Sequence, residues 1–502
     1  MLTLTRPAWV LGWSLWLGLA GLAPAISAET NLPAPEAEET WQVIYLAGQR
    51  VGYARILVAP QQAGDETVVH TVAETRLVLK RFGQTLQMST TTETEETLAG
   101  DLRSFTFRMA NPPAMTSKTT GVVTDGRLNL ASEINGRTTT SSQAWQPGIK
   151  SPTYQDRLLR VTPLKPGETK EVRAFFPEMG KPGTLKVSAG GAETVTLLDG
   201  TTAELQKVKV VNSLVPGVTT TGWINARGDT VKSSTSLLGA EMVTYSVPKA
   251  EALKEITVAE LDLGVATLVR VREIDRPYAT KSATYRVTLP DEDPSRVLPA
   301  GDTQTVRKVS EHVSEVTVTA LPLPEKGSIR AAADEFVKPT RFLQSDDEGV
   351  QQHAERAAGV LTNPGAVARA MERYVHEKLD KKNFSTALAS AGEVARNLEG
   401  DCTEHAVLLA AMLRVKQIPS RVAVGMVYIG NPSAFGGHMW TEALLDGKWV
   451  PLDATLGRGG IGATHIKLGD TTFADESAAP LSAFTSLITV IGKLQIEVLQ
   501  AE

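Results

Sequence analysis

The single cysteine of this 502-residue chain, Cys402, stands where the sequence predicts a helix to begin. Asp401 before it is a good N-cap, Glu404 three residues on completes a capping-box pattern, and the run from Ala406 to Gln417 ends before Pro419. Cys402, Ala406, Leu409 and Leu413 share one stripe, so the sulfur turns inward at the positive end of the helix dipole, where unpaired N–H groups favour thiolate over thiol. Asp401 opposes this, so a nearby base is still needed. Downstream, Asp446-Gly447 predicts a two-residue hairpin. Closed symmetrically, it pairs Leu445 with Lys448 and Leu444 with Trp449, and so sets Trp440 opposite Asp453. His438 and Asp453 then lie diagonally on one face at a Cβ separation of about 7–8 Å, within reach of each other. Nucleophile, base and orienting carboxylate in that order describe acyl transfer through a thioester.

The residues around these three carry a resemblance. Gly400-Asp401-Cys402-Thr403-Glu404-His405-Ala406, Arg414, the Ile418-Pro419-Ser420-Arg421 turn, His438-Met439-Trp440-Thr441-Glu442 and Trp449-Val450-Pro451-Leu452-Asp453-Ala454-Thr455 together resemble the transglutaminase-like superfamily. It covers roughly Val350 to Leu468. The resemblance implies a papain-like α+β core in which Cys402 attacks an amide carbonyl, His438 shuttles the proton and Asp453 holds the imidazole. Members of that superfamily include cross-linkers, proteases, amidases and inactive scaffolds. The backbone N–H of Cys402 is one candidate oxyanion donor, and Asn397 is a guess at a side-chain donor.

Other residues compete for these roles. His405, one turn beyond Cys402, is a rival base, but its place on the helix suits a supporting hydrogen bond better. A zinc site of Cys402, His405 and His438 would lack a fourth ligand and close ligand spacing, so no metal and no cofactor is expected. Trp440 shares the His438 face and is a candidate substrate contact; Glu442, on the same face, and Arg421 have packing or a structural ion pair as the plainer role. Gly457-Arg458-Gly459-Gly460-Ile461-Gly462 spells a dinucleotide-binding pattern, yet Thr464 to Leu468 reads as extended where that site needs a helix, so a mobile loop beside the cleft is expected. His70, His312, His353, His376 and His465 show no ligand grouping, and no EF-hand loop is evident.

What positions these residues is read outward from them. Gly349 to Leu361, Pro364 to Leu379 and Ala391 to Leu398 have helical spacing, with Asn363-Pro364 opening the second. Before the Leu321-Pro322-Leu323-Pro324 break come strand candidates Val265 to Ile274, Ser282 to Leu289 and Val313 to Ala320. From Trp41 to about Lys249 the chain reads as one Val- and Thr-rich strand after another, punctuated by Gly-Asp, Asp-Gly and Pro-Gly turns. The Thr90 to Thr97 run looks like a solvated strand face. Arg6 followed by the apolar stretch Ala8 to Ala23, Pro24 and small residues to Ala28 reads as a secretory signal, too short for the roughly 20 apolar residues of a membrane span.

The expected protein is therefore multidomain: a signal peptide over 1–28, an antiparallel β region of one or two modules over 29–250, a small β module and linker over 251–325, an α+β transglutaminase-like domain over 326–475, and a C-terminal helix and strand over 476–502. It is exported, periplasmic or extracellular, and membrane contact is expected only through the signal segment. A formal charge of −5 gives no basic footprint, so nucleic acid is excluded as a partner and a protein or peptide substrate is expected. The expected activity is cysteine-dependent acyl transfer or hydrolysis on amide bonds. The rival is an idle scaffold or binding module that keeps the fold without the reaction.

Overall fold

The computed structural model describes residues 31–502 apart from 113–114, 135, 238, 257–260, 387 and 475–484. The signal segment expected over 1–28 lies outside the described residues. The Val- and Thr-rich region builds one 14-stranded antiparallel sheet. Strands from Glu38–Leu46 out to Arg137–Ala144 neighbour one another in chain order, and so do those from Thr169–Phe176 to Ala240–Val247. The two runs join where Trp41 to Leu46 pairs with Val247 to Met242. The Thr90 to Thr97 run is not a solvated face throughout. Alternate side chains point to opposite sides of a strand, so Thr92, Thr94 and Glu96 are buried. The helix Tyr154–Val161 packs there, with Arg157 bonding Glu96 at 2.8 Å.

A second sheet orders Gln304–Lys308, Val313–Thr319, Ser282–Thr288 and Gln495–Ala501. Its fourth strand comes from the far end of the chain, so the small β module takes in residues beyond 251–325. The strand expected over Val265 to Ile274 is instead a helical turn, Leu263–Ala266, and a two-residue strand, Val269–Arg270. Asp262 accounts for the difference, because its carboxylate accepts from the Gly264 N–H and starts a helix where the Val-rich pattern alone favours extension.

The third sheet carries the site. Its path is Val269–Arg270, Ser433–Leu445, Ser420–Gly430 and His465–Thr471, with Lys448–Leu452 also paired to Ser433–Leu445. The helix Cys402–Val415 packs on it, and Glu348–Ala358, Pro364–Lys378 and Ala391–Asn397 pack on that helix. Every residue from Cys402 to Arg414 is buried, the polar ones included. Helices on one side and strands on the other explain why, and each fully buried Leu contributes about 1.5–3 kcal/mol. The hairpin closes in the predicted register, Leu445 with Lys448 and Leu444 with Trp449. Asp446 and Gly447 both have positive φ, at 53° and 76°. The His438 strand begins at Ser433. Phe435 is buried against Tyr285 and Tyr428, so Asn431 to Gly437 is a tight turn and a packed strand.

Candidate active site

The nucleophile helix starts in a fully formed capping box. The Thr403 N–H donates to Asp401 Oδ1 at 2.8 Å and the Asp401 N–H to Glu404 Oε2 at 2.9 Å. Glu404 Oε1 also accepts from the Ala389 N–H at 3.0 Å. Burial, and then the Asp401 charge, raise the Glu404 carboxyl well above its ordinary range. The Thr441 hydroxyl, three residues past His438, donates to the Ala406 carbonyl at 2.9 Å and pins the His438 strand across the nucleophile helix.

These elements bring Cys402, His438 and Asp453 together, each fully buried. His438 Nε2 donates to Asp453 Oδ2 at 2.7 Å. The Cys402 side chain is the ring's other partner, and because Nε2 is committed to Asp453, Nδ1, which has no oxygen or nitrogen partner, is the atom left to face sulfur. Burial pulls the His438 imidazole down, but the Asp453 carboxylate and Cys402 outweigh it and push it up to about 10. Asp453 is held ionised against its burial. Its Oδ1 accepts from the Thr455 and Leu456 N–H groups at 2.9 and 3.3 Å, and Oδ2 from two imidazoles.

The second imidazole, His465, was missed by sequence reasoning. Its Nε2 donates to Asp453 Oδ2 at 3.0 Å, and burial keeps the ring below its ordinary range in spite of the carboxylate. The register that brings it in belongs to a strand pairing distant in sequence, Val427 with His465. A glycine permits the approach: a Cβ at Gly425 would meet the Ile466 carbonyl at 2.1 Å and the Trp440 ring at 2.8 Å. His438, Asp453 and His465 place their ligand-type atoms within 4.8 Å of one another, a group that could hold a metal ion. The two carboxylate contacts are at hydrogen-bond length, so an ion would have to displace both N–H donors.

The other candidates fall into place around this pair. His405 Nδ1 donates to the Asp401 carbonyl at 2.5 Å and its Nε2 accepts from the Lys382 ammonium at 3.2 Å. Burial and Lys382 push His405 down to about 3, so it is neutral and already occupied on both nitrogens. Trp440 stacks on His438 at 6.4 Å and meets His465 edge-on at 5.3 Å. With 2% of its surface exposed, it offers a substrate almost nothing, because strand alternation puts it on the covered face. Glu442 pairs with Arg421 and Lys467, both at 2.7 Å. Asn397 is exposed and, among the described residues, hydrogen-bonds to none of the three.

The Gly457 to Gly462 loop contains no helix start, and it is tethered. Glu372, buried on the helix Pro364–Lys378, accepts from the Asp453 and Gly460 N–H groups, each at 3.1 Å. Gly457 N–H donates to the Asp453 carbonyl at 2.8 Å and Arg458 lies over the Tyr278 ring at 4.6 Å. Burial, with the Asp453 charge behind it, raises Glu372 to about 7 in spite of these donors.

Residues 351–454 match the profile of the transglutaminase-like superfamily. No curated protein matches the chain. Among solved structures, a candidate cysteine protease from Cytophaga hutchinsonii is 18% identical over 43% of this chain and 83% of its own, with a TM-score of 0.29. The β-barrel-like protein of domain of unknown function DUF1849 from Brucella abortus is 12% identical over 42% of this chain and 95% of its own, TM-score 0.31. The periplasmic domain of TgpA from Pseudomonas aeruginosa, bound to ethylmercury, is 16% identical over 36% and 76%, TM-score 0.26. The segment that holds the Cys402 helix, the His438 strand and the Asp453 turn is a transglutaminase-like domain.

Proposed function

We propose that the chain is an exported cysteine-dependent acyl transferase or hydrolase acting on protein or peptide amide bonds. The observation that carries this reading is the Cys402–His438–Asp453 contact series at the start of a buried, capped helix. In this reading the Cys402 thiolate forms a bond to the amide carbonyl carbon while His438 holds its proton at Nδ1. As the tetrahedral intermediate collapses, the C–N bond breaks and the imidazolium proton passes to the leaving amine. Neutral His438 then takes a proton from water or an amine as that acceptor adds to the thioester carbonyl, and the C–S bond breaks as this second intermediate collapses, releasing the acyl product and restoring the Cys402 thiolate beside the His438 imidazolium. Asp453 holds Nε2 and stabilises the imidazolium. The helix-start amide of Cys402 is the candidate backbone donor to the oxyanion in this reading. Cys402 is fully buried, so an acyl donor reaches it only through an opening motion. The leader-like run Ala8 to Ala23 supports export. Among the described residues no helix is long and apolar enough to cross a membrane.

The test is turnover of a glutaminyl and peptide library, with a fluorescent primary amine at millimolar concentration competing with water. Cys402→Ala and His438→Ala are expected to abolish both products, and Asp453→Asn to lower kcat by about 10²–10⁴ while leaving some activity. His405→Ala should retain turnover. The ratio of amine adduct to hydrolysed product assigns the acceptor. Full activity in Cys402→Ala would refute the reading, and no turnover in the wild-type chain would favour the idle scaffold.

A further inference from the structure

The large β-sheet reaches the nucleophile. Strand Glu66–Arg81 turns into Gln84–Thr97 through Phe82 and Gly83, both at positive φ, 45° and 81°, which defines a tight two-residue hairpin. The tip is held from two sides. Asp262 accepts from the Phe82 and Gly83 N–H groups at 2.7 and 2.6 Å. Gln84 accepts from the Phe384 N–H at 2.8 Å and donates to the Lys382 carbonyl at 3.3 Å. Between these anchors Arg81, 1% exposed, sends its guanidinium under the loop: Nη1 donates to the Thr386 carbonyl at 3.1 Å and Nη2 to Asp401 Oδ2. Asp401 thus divides its oxygens, Oδ1 to the helix it caps and Oδ2 to a residue 320 positions away.

We propose that Arg81, supplied by the β-sheet half of the chain, is a positioning residue for Cys402 that acts through Asp401. The proposal rests on the enzymatic reading above. A buried carboxylate immediately before the nucleophile has two effects that oppose each other. It caps the helix, which sets the backbone at Cys402, and its charge disfavours the thiolate. Arg81 cancels the charge and keeps the cap. The other charged and titratable groups facing Cys402 are Glu404 and His405 on its own helix, His438 and Asp453 from the sheet, and Lys382 from the loop clamped by Gln84. Of these, Glu404 shares a side-chain hydrogen bond with Asp401 and Lys382 feels its charge, and the cation bonded to Asp401 Oδ2 is Arg81. The N-terminal sheet therefore belongs to the site rather than being a separate module tethered to it.

The experiment follows the rate of iodoacetamide alkylation of Cys402 against pH in the full chain, with kcat and KM on any amide donor the wild type turns over. Arg81→Met should move the alkylation profile to higher pH by about one unit and lower kcat more than KM, because a neighbouring charge of this kind moves a titration by roughly 1–3 units. Arg81→Lys should restore most of both. The double variant Arg81→Met/Asp401→Asn should return the profile close to wild type, since the opposing charge is gone as well. If Arg81→Met does not fold, Asp401→Asn alone reads the same coupling with opposite sign, moving the profile to lower pH. A wild-type profile in folded Arg81→Met, or in Asp401→Asn, overturns the proposal and leaves a structural ion pair. Absence of turnover in the wild type sinks the enzymatic reading separately, with the alkylation profiles still deciding Arg81.

Discussion

His465 changes how Asp453 is to be understood. A carboxylate that held one imidazole could swing with it, whereas one that accepts from two imidazoles on Oδ2 and two amides on Oδ1 has every lone pair directed. The Nε2–H tautomer of His465 follows, since a carboxylate only accepts. His465→Phe removes one charge-assisted bond of the kind worth about 1.5–3 kcal/mol and leaves bulk in place. We expect kcat to fall about tenfold with KM little changed, and His465→Gln, which keeps an N–H donor, to recover most of it. Equal losses in both variants would show that the ring packs rather than orients. His405 illustrates the opposite outcome. It is the histidine nearest Cys402 in sequence, yet its nitrogens serve Asp401 and Lys382.

The helix Pro364–Lys378 supports the loops that follow Lys448–Leu452, and it does so through Glu372. That carboxyl, buried and raised to about 7, gathers the Asp453 and Gly460 amides into one anchor. A carboxyl whose folded value lies above its unfolded value of 4.5 contributes stability that is fully present below pH 4.5 and is lost as pH rises through about 7. The loss amounts to about 3.5 kcal/mol at most, at about 1.4 kcal/mol per unit. Glu372→Gln does not titrate and keeps an acceptor oxygen. Its Tm should therefore fall less than that of the wild type between pH 5 and pH 8. A wild-type pH slope in the variant would mean that Glu372 ionises without cost. The helical spacing of this element is plain in the sequence, but a Glu on a helix reads as solvated, and only packing reveals it as an anchor.

At the scale of the molecule, the three sheets are interlocked by strands and side chains from distant parts of the chain. Ser282–Thr288 is paired by Gln495–Ala501, Phe435 and Ala434 by Val269–Arg270, and Asp401 is answered by Arg81. A chain cut to residues 326–475 would lose the second sheet entirely, leave Ala434 and Phe435 without their strand neighbour, and strand the buried Asp401 carboxylate, a change that typically costs about 3–5 kcal/mol by itself. We expect this fragment to melt at least ~10 °C below the full chain, or to bind a hydrophobic dye without a cooperative transition. A fragment as stable as the full chain would establish residues 326–475 as an autonomous domain.

The sequence by itself determined what local rules control. A capping box, a helix stripe and an Asp-Gly turn have fixed geometries, so Cys402 at a helix start and the pairing of Leu445 with Lys448 followed from spacing alone. Strands such as Ser282–Thr288 and Val313–Thr319 were legible from Val and Thr alternation. The weakly patterned ones, Arg137–Ala144 and Gln304–Lys308, were not, because their extension depends on a neighbour's hydrogen bonds. Glycine in Gly457 to Gly462 suggested mobility, and the buried Glu372 and the half-buried Tyr278 ring tether it instead. His465, Glu372 and Arg81 escaped sequence reasoning for one reason. Glu372 and Arg81 lie 81 and 320 positions from the groups they touch, and His465, though 12 from Asp453, is aimed at it by its strand's pairing with Val427; such long-range register and burial, which no local spacing encodes, decide whether a polar residue is solvent-facing or part of a site.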